Sequence, residues 1–337
     1  MNKFMEQAIA IKDDIVEYRR VIHSNPEVGA ELPKTKAYVM DKLREFGYEP
    51  EEICESGIVA TIEGSKPGKT FLLRADMDAL PMAEATDCDF KATNGAMHSC
   101  GHDMHTAMLL GAAKLLKQNQ DEIEGTVKLV FQPDEEGFTG AKKMIEAGVL
   151  QNPKVDAAMA MHVNSGTPSN LVVCGLGTSI GGCNRFRIVV KGTGCHGALP
   201  ETGVDPINIA AHIFLAIQEI TSREIPATKP AVITIGKFAG GDAPNIIPNE
   251  VTGYMKDIVG EQGIFLFEGG GMGSEDFASY SYEVPSLYVI LGAGAKNENP
   301  LYGVPMHNEK VVFNEDVLPT GAAMHAYSAI MWLKNNK

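Results

Sequence analysis

Nine consecutive positions, 97–105, read MHSCGHDMH and gather Cys100, His102 and Asp103 with two further histidines, His98 and His105. That density suits three chemistries: a nucleophilic thiol with its base, part of a metal site, or a helix start rich in histidine. Further donors stand in VFQPDEEG (Glu135, Glu136), AMHV (His162) and GVPMHN (His307). Cys100, His102, Glu136 and His162 would bring sulfur, nitrogen and oxygen together from three loops, and His307 is the next candidate. Five such ligands exceed what one tetrahedral ion needs, whereas two ions sharing a bridging ligand would use them well. The mixture of thiolate, imidazole and carboxylate admits zinc, manganese, cobalt or nickel.

Glu135 and Glu136 are neighbours, so in an extended chain their side chains point in opposite directions. Glu136 can then bind metal while Glu135 faces the substrate as general base on a water whose pKa the metal lowers. A cysteine nucleophile, with His102 or His98 as base, would leave Glu135, Glu136 and His162 without a role. A structural zinc site would favour several cysteines in closed coordination.

The surrounding sequence must position these donors. Phe4 to His23 spaces Ile9, Ile11, Ile15, Tyr18 and Ile22 as one helix face, and a second helix is expected over 34–48 with Gly47 near its end. Three short apolar runs, 70–80, 126–137 and 155–163, end in ionisable residues and read as strands buried on both faces, with helices between them at 103–118 and 138–148. Alternation of this kind predicts an α/β domain with a mostly parallel sheet and helices on both faces. Ligands bind beyond the carboxyl ends of such strands, where Asp76, Asp78, Glu135, Glu136 and His162 fall. From about Gly181 to Lys256 a β-α-β-β order predicts a smaller inserted α+β domain, after which 285–294 and a helix over 317–334 return to the first. The expected division is 1–180 with 257–337 for the catalytic domain and 181–256 for the insert.

A length of 337 residues suits this two-domain plan. The net charge of −14 argues against nucleic acid and anionic membranes as partners, while small anionic substrates stay open because a bound cation overrides the global field. Six cysteines without a framework spacing and a charged N-terminus lead us to expect a reduced, cytoplasmic protein, and no apolar run approaches membrane-spanning length.

The ordered motifs HSNPEVG, RADMDALPM, MHSCGHDMHTAMLLGAA, VFQPDEEGFTGAKKMIEAGVL, AMHV, GCHGALPETGVDPI, APNIIPNE, MGSEDF and PMHN resemble the amidohydrolase branch of the aminoacylase and carboxypeptidase family of dinuclear metallopeptidases. That branch includes N-acyl-amino-acid, hippurate and auxin-conjugate hydrolases. The resemblance covers nearly the whole chain. It implies a catalytic domain holding two divalent metals, zinc or manganese before cobalt or nickel, and a lid domain that often mediates homodimerisation. The implied ligands are Cys100, with the bridging position, His102, Glu136, His162 and His307, with Glu135 as base. His196 is implied to polarise the scissile carbonyl and touch substrate, Asn245 to contact substrate, and Asp78 to orient a ligand. The implied reaction is hydrolysis of an N-acyl amino acid or similar small conjugate. Dipeptidase or aminopeptidase action, and metal and ligand binding without turnover, are the alternatives.

One departure stands out. After NEVTGYM the chain runs directly into KDIVGEQGIFLFEGGGMGSEDF, so the lid is expected to lack its second helix and last strand. No arginine follows Arg223, which removes the usual bidentate cation for a substrate carboxylate from the C-terminal third, leaving Lys256, Asn245 or main-chain N–H groups as substitutes.

Overall fold

The structure is a computed structural model that describes residues 2–174, 184–226, 232–258 and 275–337. In chain order the elements are α1 (Lys3–Ala10), α2 (Lys12–His23), α3 (Pro33–Glu45), β1 (Glu51–Cys54), β2 (Gly57–Glu63), β3 (Lys66–Asp76), α4 (His102–Gln118), β4 (Glu124–Gln132), α5 (Gly140–Glu146), β5 (Ala157–Asn164) and β6 (Val172–Cys174). Then come β7 (Asn184–Lys191), β8 (Cys195–His196), α6 (Pro206–Arg223), β9 (Val232–Gly240), β10 (Ile246–Ile247) and β11 (Glu250–Ile258), followed by α7 (Ala278–Glu283), β12 (Ser286–Gly292) and α8 (Leu318–Asn335). Two compact units result, Met1–Gly175 with Asp276–Lys337, and Leu176–Glu275. The return to the first unit therefore falls at 276, later than the 257 expected from the texture of the sequence.

The first unit carries a seven-stranded sheet in the order β1-β2-β4-β3-β5-β12-β6. Its centre, β4, β3, β5 and β12, is parallel, and the other pairings are antiparallel. The three apolar runs become β3, β4 and β5, and 285–294 supplies β12. The hairpin of β1 and β2, which the sequence reading left out, extends the sheet on one side. Residues 157–163 of β5 are buried throughout, as a strand covered on both faces requires.

The expected helix over 4–23 is instead two helices that meet at Ile11, whose φ of −110° and ψ of 18° are not helical. Asp13 and Asp14 occupy the first turn of the second helix, where carboxylates meet the positive end of the peptide dipoles and favour a fresh start. The break leaves Ile9 exposed while Phe4, Ala8, Ile15, Tyr18 and Ile22 are buried. Helix α4 is apolar on nearly every side, which places it inside the unit, against α2 and α8. Its approach to α8 is close: a Cβ on Gly321 would lie 1.9 Å from Met108 Sδ.

The second unit pairs β7, β11 and β9 in a three-stranded antiparallel sheet, with α6 packed on it. Asp205 caps α6 by accepting from the N–H groups of Ile207 and Asn208. Apolar burial is thin here. Leu215, Phe238, Ile207 and Ile209 are exposed, and a half-open apolar groove is lined by Ile188, Val190, Phe214, Ile217, Ile235 and Phe238. The stretch in which the second lid helix and last strand are expected to be missing, after Ile258, lies outside the described residues up to 274, as do the side chains of 252–258, including Lys256.

Candidate metal centre

Cys100, His102 and the first turn of α4 are set by Gly101. Its φ of +88° is left-handed, and a Cβ there would lie 2.5 Å from Val163 Cγ2, so a side chain is refused on two grounds. The tight turn delivers Cys100 to one side and starts the helix at His102. His162 arrives from the end of β5, and His307 from the loop after β12, in a left-handed conformation with φ of +61°. A left-handed non-glycine residue carries strain that the surroundings must hold in place, and such residues cluster at functional sites.

The five expected ligands of the first unit converge. Cys100 Sγ lies 3.4 Å from His162 Nε2 and 3.2 Å from His307 Nε2, and His307 Nε2 lies 3.1 Å from Glu136 Oε1. Two donor triads, Cys100 with His102 and His162, and Cys100 with Glu136 and His307, each keep their ligand atoms within 4.8 Å of one another and share Cys100. A third groups His102 with Glu135 and Glu136.

Tautomers are fixed by the main chain. His102 Nδ1 donates to the carbonyl of Asp78 at 2.8 Å, and His162 Nδ1 to the carbonyl of Val163 at 2.6 Å. In the neutral imidazoles both Nε2 lone pairs then face inward, the arrangement a metal-binding imidazole needs. His102 Nε2 is buried without a hydrogen-bond partner, and once its proton is displaced it offers the lone pair that a cation would take up. The residues fit a divalent metal pair by this criterion and by their mixture of donors.

Glu135 and Glu136 diverge for a different reason from the one the sequence suggested. They lie in a turn rather than an extended strand, because Asp134 takes a left-handed φ of +58°. Asp78 grips the turn: its Oδ1 accepts from Glu135 N–H and its Oδ2 from Glu136 N–H, both at 3.0 Å. The same carboxylate lies 3.4 Å from His102 Nδ1. Glu136 consequently reaches His307, while Glu135 Oε2 stands 3.8 Å from His102 Nε2.

The ionisation pattern of the bare protein follows from crowding. Burial pushes the Cys100 thiol up, and the neighbouring carboxylates add to this against the opposing effect of His102. Burial would lower His102, but Asp76, Cys100 and Asp78 outweigh it and hold the imidazole well above its ordinary range. Burial would raise Glu136, yet the hydrogen bond from His307 and the charge of His102 bring it down to about 2. Burial raises Asp78. Protons are thus shared among donors too close together to ionise independently, and a bound cation would replace them.

The remaining histidines separate. His105 spends both ring nitrogens, Nδ1 on Asp76 Oδ1 at 2.6 Å and Nε2 on the N–H of Val163 at 2.9 Å, so it braces Asp76 against β5. His98 is buried, with neither ring nitrogen hydrogen-bonded. His23 lies between Asp103 Oδ2 at 2.8 Å and Glu84 Oε1 at 3.1 Å. His196 and Asn245 lie in the second unit and are brought side by side there: β8 pairs with β10, setting His196 opposite Ile246, and Gly197 N–H donates to the Asn245 carbonyl at 2.8 Å.

Sequence reasoning missed the charged floor of the site. Arg74, buried in β3, donates to Asp76 Oδ2 at 2.6 Å, to Gln132 Oε1 at 3.0 Å and to Asp276 Oδ1 at 2.8 Å. The signal was present as an arginine inside the apolar run TFLLRAD, since a buried guanidinium demands partners.

Comparison with known proteins agrees with this geometry. Residues 72–330 match the model of peptidase family M20/M25/M40. Thermostable carboxypeptidase 2 of Saccharolobus solfataricus is 36% identical over 98% of each chain. Its alignment runs over 389 positions, 52 more than this chain has residues, so this chain lacks segments that the relative possesses. An N-acyl-L-amino acid amidohydrolase of Geobacillus stearothermophilus is 37% identical over 72% of this chain and 65% of its own. Among solved structures, a dinuclear metal binding peptidase of the M20 family from Bacillus subtilis superposes with a TM-score of 0.74 at 26% identity, covering 96% of this chain and 99% of that one. The chain belongs to peptidase family M20/M25/M40 and is a metal-dependent hydrolase of that family.

Proposed function

We propose that the chain hydrolyses the amide bond of N-acyl amino acids or similar small conjugates at a dinuclear centre held by Cys100, His102, Glu136, His162 and His307. The observation that carries this reading is the pair of donor triads sharing Cys100, with Glu135 beside them. Zinc or manganese suits the donors best, with cobalt or nickel as substitutes. When bound, the metals supply Lewis acidity toward the amide carbonyl and lower the pKa of the attacking water.

Glu135 takes the proton from that water and returns it to the leaving nitrogen, so one carboxylate serves both halves of the reaction. Asp78 keeps Glu135 and Glu136 in their divergent turn and keeps His102 aligned. His196 is assigned to the carbonyl oxygen, where charge develops in the transition state, and Asn245 to the substrate; the support is the motif resemblance and their adjacency within the second unit.

A homodimer through the second unit is supported by its exposed Leu215, Phe238, Ile207 and Ile209. A cytoplasmic location is supported by the free Cys54, Cys88, Cys100, Cys174 and Cys195.

Binding without turnover is the second reading, favoured by the segments this chain lacks relative to the carboxypeptidase. Glu135→Gln separates the two. On the enzymatic reading it loses hydrolysis by roughly a hundredfold or more while keeping its metal content. Activity that survives the substitution removes Glu135 as the base.

A further inference from the structure

We infer that Asp276 is a positioning residue for Glu135, acting through its own main-chain N–H. This rests on the reading of Glu135 as the base. The residue stands where the chain re-enters the first unit, and its side chain is almost wholly buried. Its carboxylate collects an unusual number of donors. Oδ1 accepts from Arg74 Nη2 at 2.8 Å, both oxygens accept from Gln132 Nε2 at 2.8 Å, and Oδ2 accepts from Ala141 N–H at 2.8 Å.

These donors come from β3, from the end of β4 and from the start of α5, so they fix the main chain at 276 against three elements. The N–H fixed in this way points at Glu135 Oε1, 3.4 Å away. The other oxygen, Oε2, is the one 3.8 Å from His102 Nε2. Glu135 is therefore held at one oxygen by Asp276 and turned with the other toward the donor cluster.

The chemistry explains the need. A glutamate has three side-chain torsions, and a base that wanders over them spends little time in line with the proton it must take. The turn around Asp78 fixes only the main chain of Glu135. The N–H of Asp276 adds a hold on the carboxylate itself, and the buried pair of Arg74 and Asp276 makes that N–H rigid. Asp276 touches neither substrate nor reacting atoms on this account. Its contribution belongs in kcat and leaves KM alone.

Asp276→Asn keeps the shape, removes the charge that Arg74 and Gln132 hold, and turns an NH₂ group toward one of the former donors. The expected result is a fall in kcat of roughly 10- to 100-fold with KM within about threefold of the parent. The stoichiometry of bound metal and the visible absorption spectrum of the cobalt-substituted protein should be unchanged. A purely structural residue would instead lower the melting temperature while leaving kcat per folded molecule intact, and that result overturns the inference. A cobalt spectrum that changes together with kcat also overturns it, since the damage would then lie in the ligands.

Should Asp276→Asn fail to fold, Gln132→Met removes one of the same anchors and carries the same expectation at roughly 3- to 10-fold. Glu135→Gln run in parallel keeps the two readings apart. If it retains activity, the base assignment fails and this inference with it. If it is inactive while Asp276→Asn turns over like the parent, only the positioning role fails.

Discussion

Replacing Asp78 should damage the centre in a graded way, because its two oxygens do two separable jobs. Each accepts one main-chain N–H at 3.0 Å, from the buried Glu135 and from the part-buried Glu136. A hydrogen bond to a charged group contributes about 1.5–3 kcal/mol, and leaving a buried donor unmet costs a similar amount. Asp78→Asn keeps one acceptor and turns an NH₂ group on the other N–H, so it should lose about 1.5–3 kcal/mol of folding stability in the metal-free protein. Asp78→Ala abandons both donors and should lose roughly twice as much, about 3–6 kcal/mol. Both loosen His102, whose Nδ1 is 3.4 Å from the same carboxylate, and metal affinity should fall by about 10- to 100-fold. Chemical denaturation of the stripped protein measures the first quantity, and chelator competition measures the second. Equal stability of the parent, Asn and Ala proteins within about 0.5 kcal/mol would refute the claim that Asp78 organises the turn.

Three further outcomes follow from local geometry. Gly101→Ala combines a left-handed backbone with a Cβ 2.5 Å from Val163 Cγ2, so thermal melts should show a loss of roughly 2–4 kcal/mol, accompanied by weaker metal binding because Cys100 and His102 flank the turn. Lys128 buries its ammonium among the carbonyls of Val149, Gln151 and Pro153, at 2.7–2.9 Å, and Lys128→Met should cost about 3 kcal/mol in a denaturation experiment by stranding those carbonyls, with kcat unchanged. The third concerns pH and the buried chain of Arg19, Asp103, His23 and Glu84. Burial would raise Glu84, but His23 and Thr86 bring it down to about 2; burial would lower His23, but Asp103, Cys88 and Glu84 lift it to about 11. The depressed carboxylate gives stability that is complete above its unfolded pKa near 4.5 and is lost as pH falls toward 2. The raised imidazole gives stability that is complete below 6.5 and is lost as pH rises toward 11. A melting-temperature profile should therefore plateau between the two, and His23→Gln should flatten its alkaline slope; an unchanged slope would show that His23 is not the group responsible.

Much of the frame was legible because burial writes itself into composition. The runs at 70–80, 126–137 and 155–163 are short and apolar enough to read as strands covered on both faces, and they become β3, β4 and β5, with an ionisable residue at or just beyond the carboxyl end of each. The gathering of Cys100, His102, Glu136, His162 and His307 was legible because thiol, imidazole and carboxylate recur together at the ends of these strands and loops. Partner choice was hidden. Asp103 reads as the acidic residue of a helix start, yet it is a buried hub for Arg19 and His23, 84 and 80 positions away in sequence. Arg74 and Asp276 meet across 202 positions, through a contact that no local pattern encodes. The turn at Glu135 was misread as extended because a single left-handed residue, Asp134, changes the direction of both side chains and leaves no mark on hydrophobic periodicity. The division at Ile11 escaped for a related reason, since no glycine or proline announces it.

Metal-dependent amide hydrolysis is the property on which the roles of Glu135 and the donor cluster depend. The measurement is amine release from a panel of N-acetyl and N-benzoyl amino acids by chelator-stripped protein, before and after addition of Mn²⁺ or Zn²⁺. Turnover that is absent from the stripped protein and restored by metal, with one acyl amino acid preferred, is the predicted result. Folded protein that binds two ions and releases no amine from any member of the panel would contradict it.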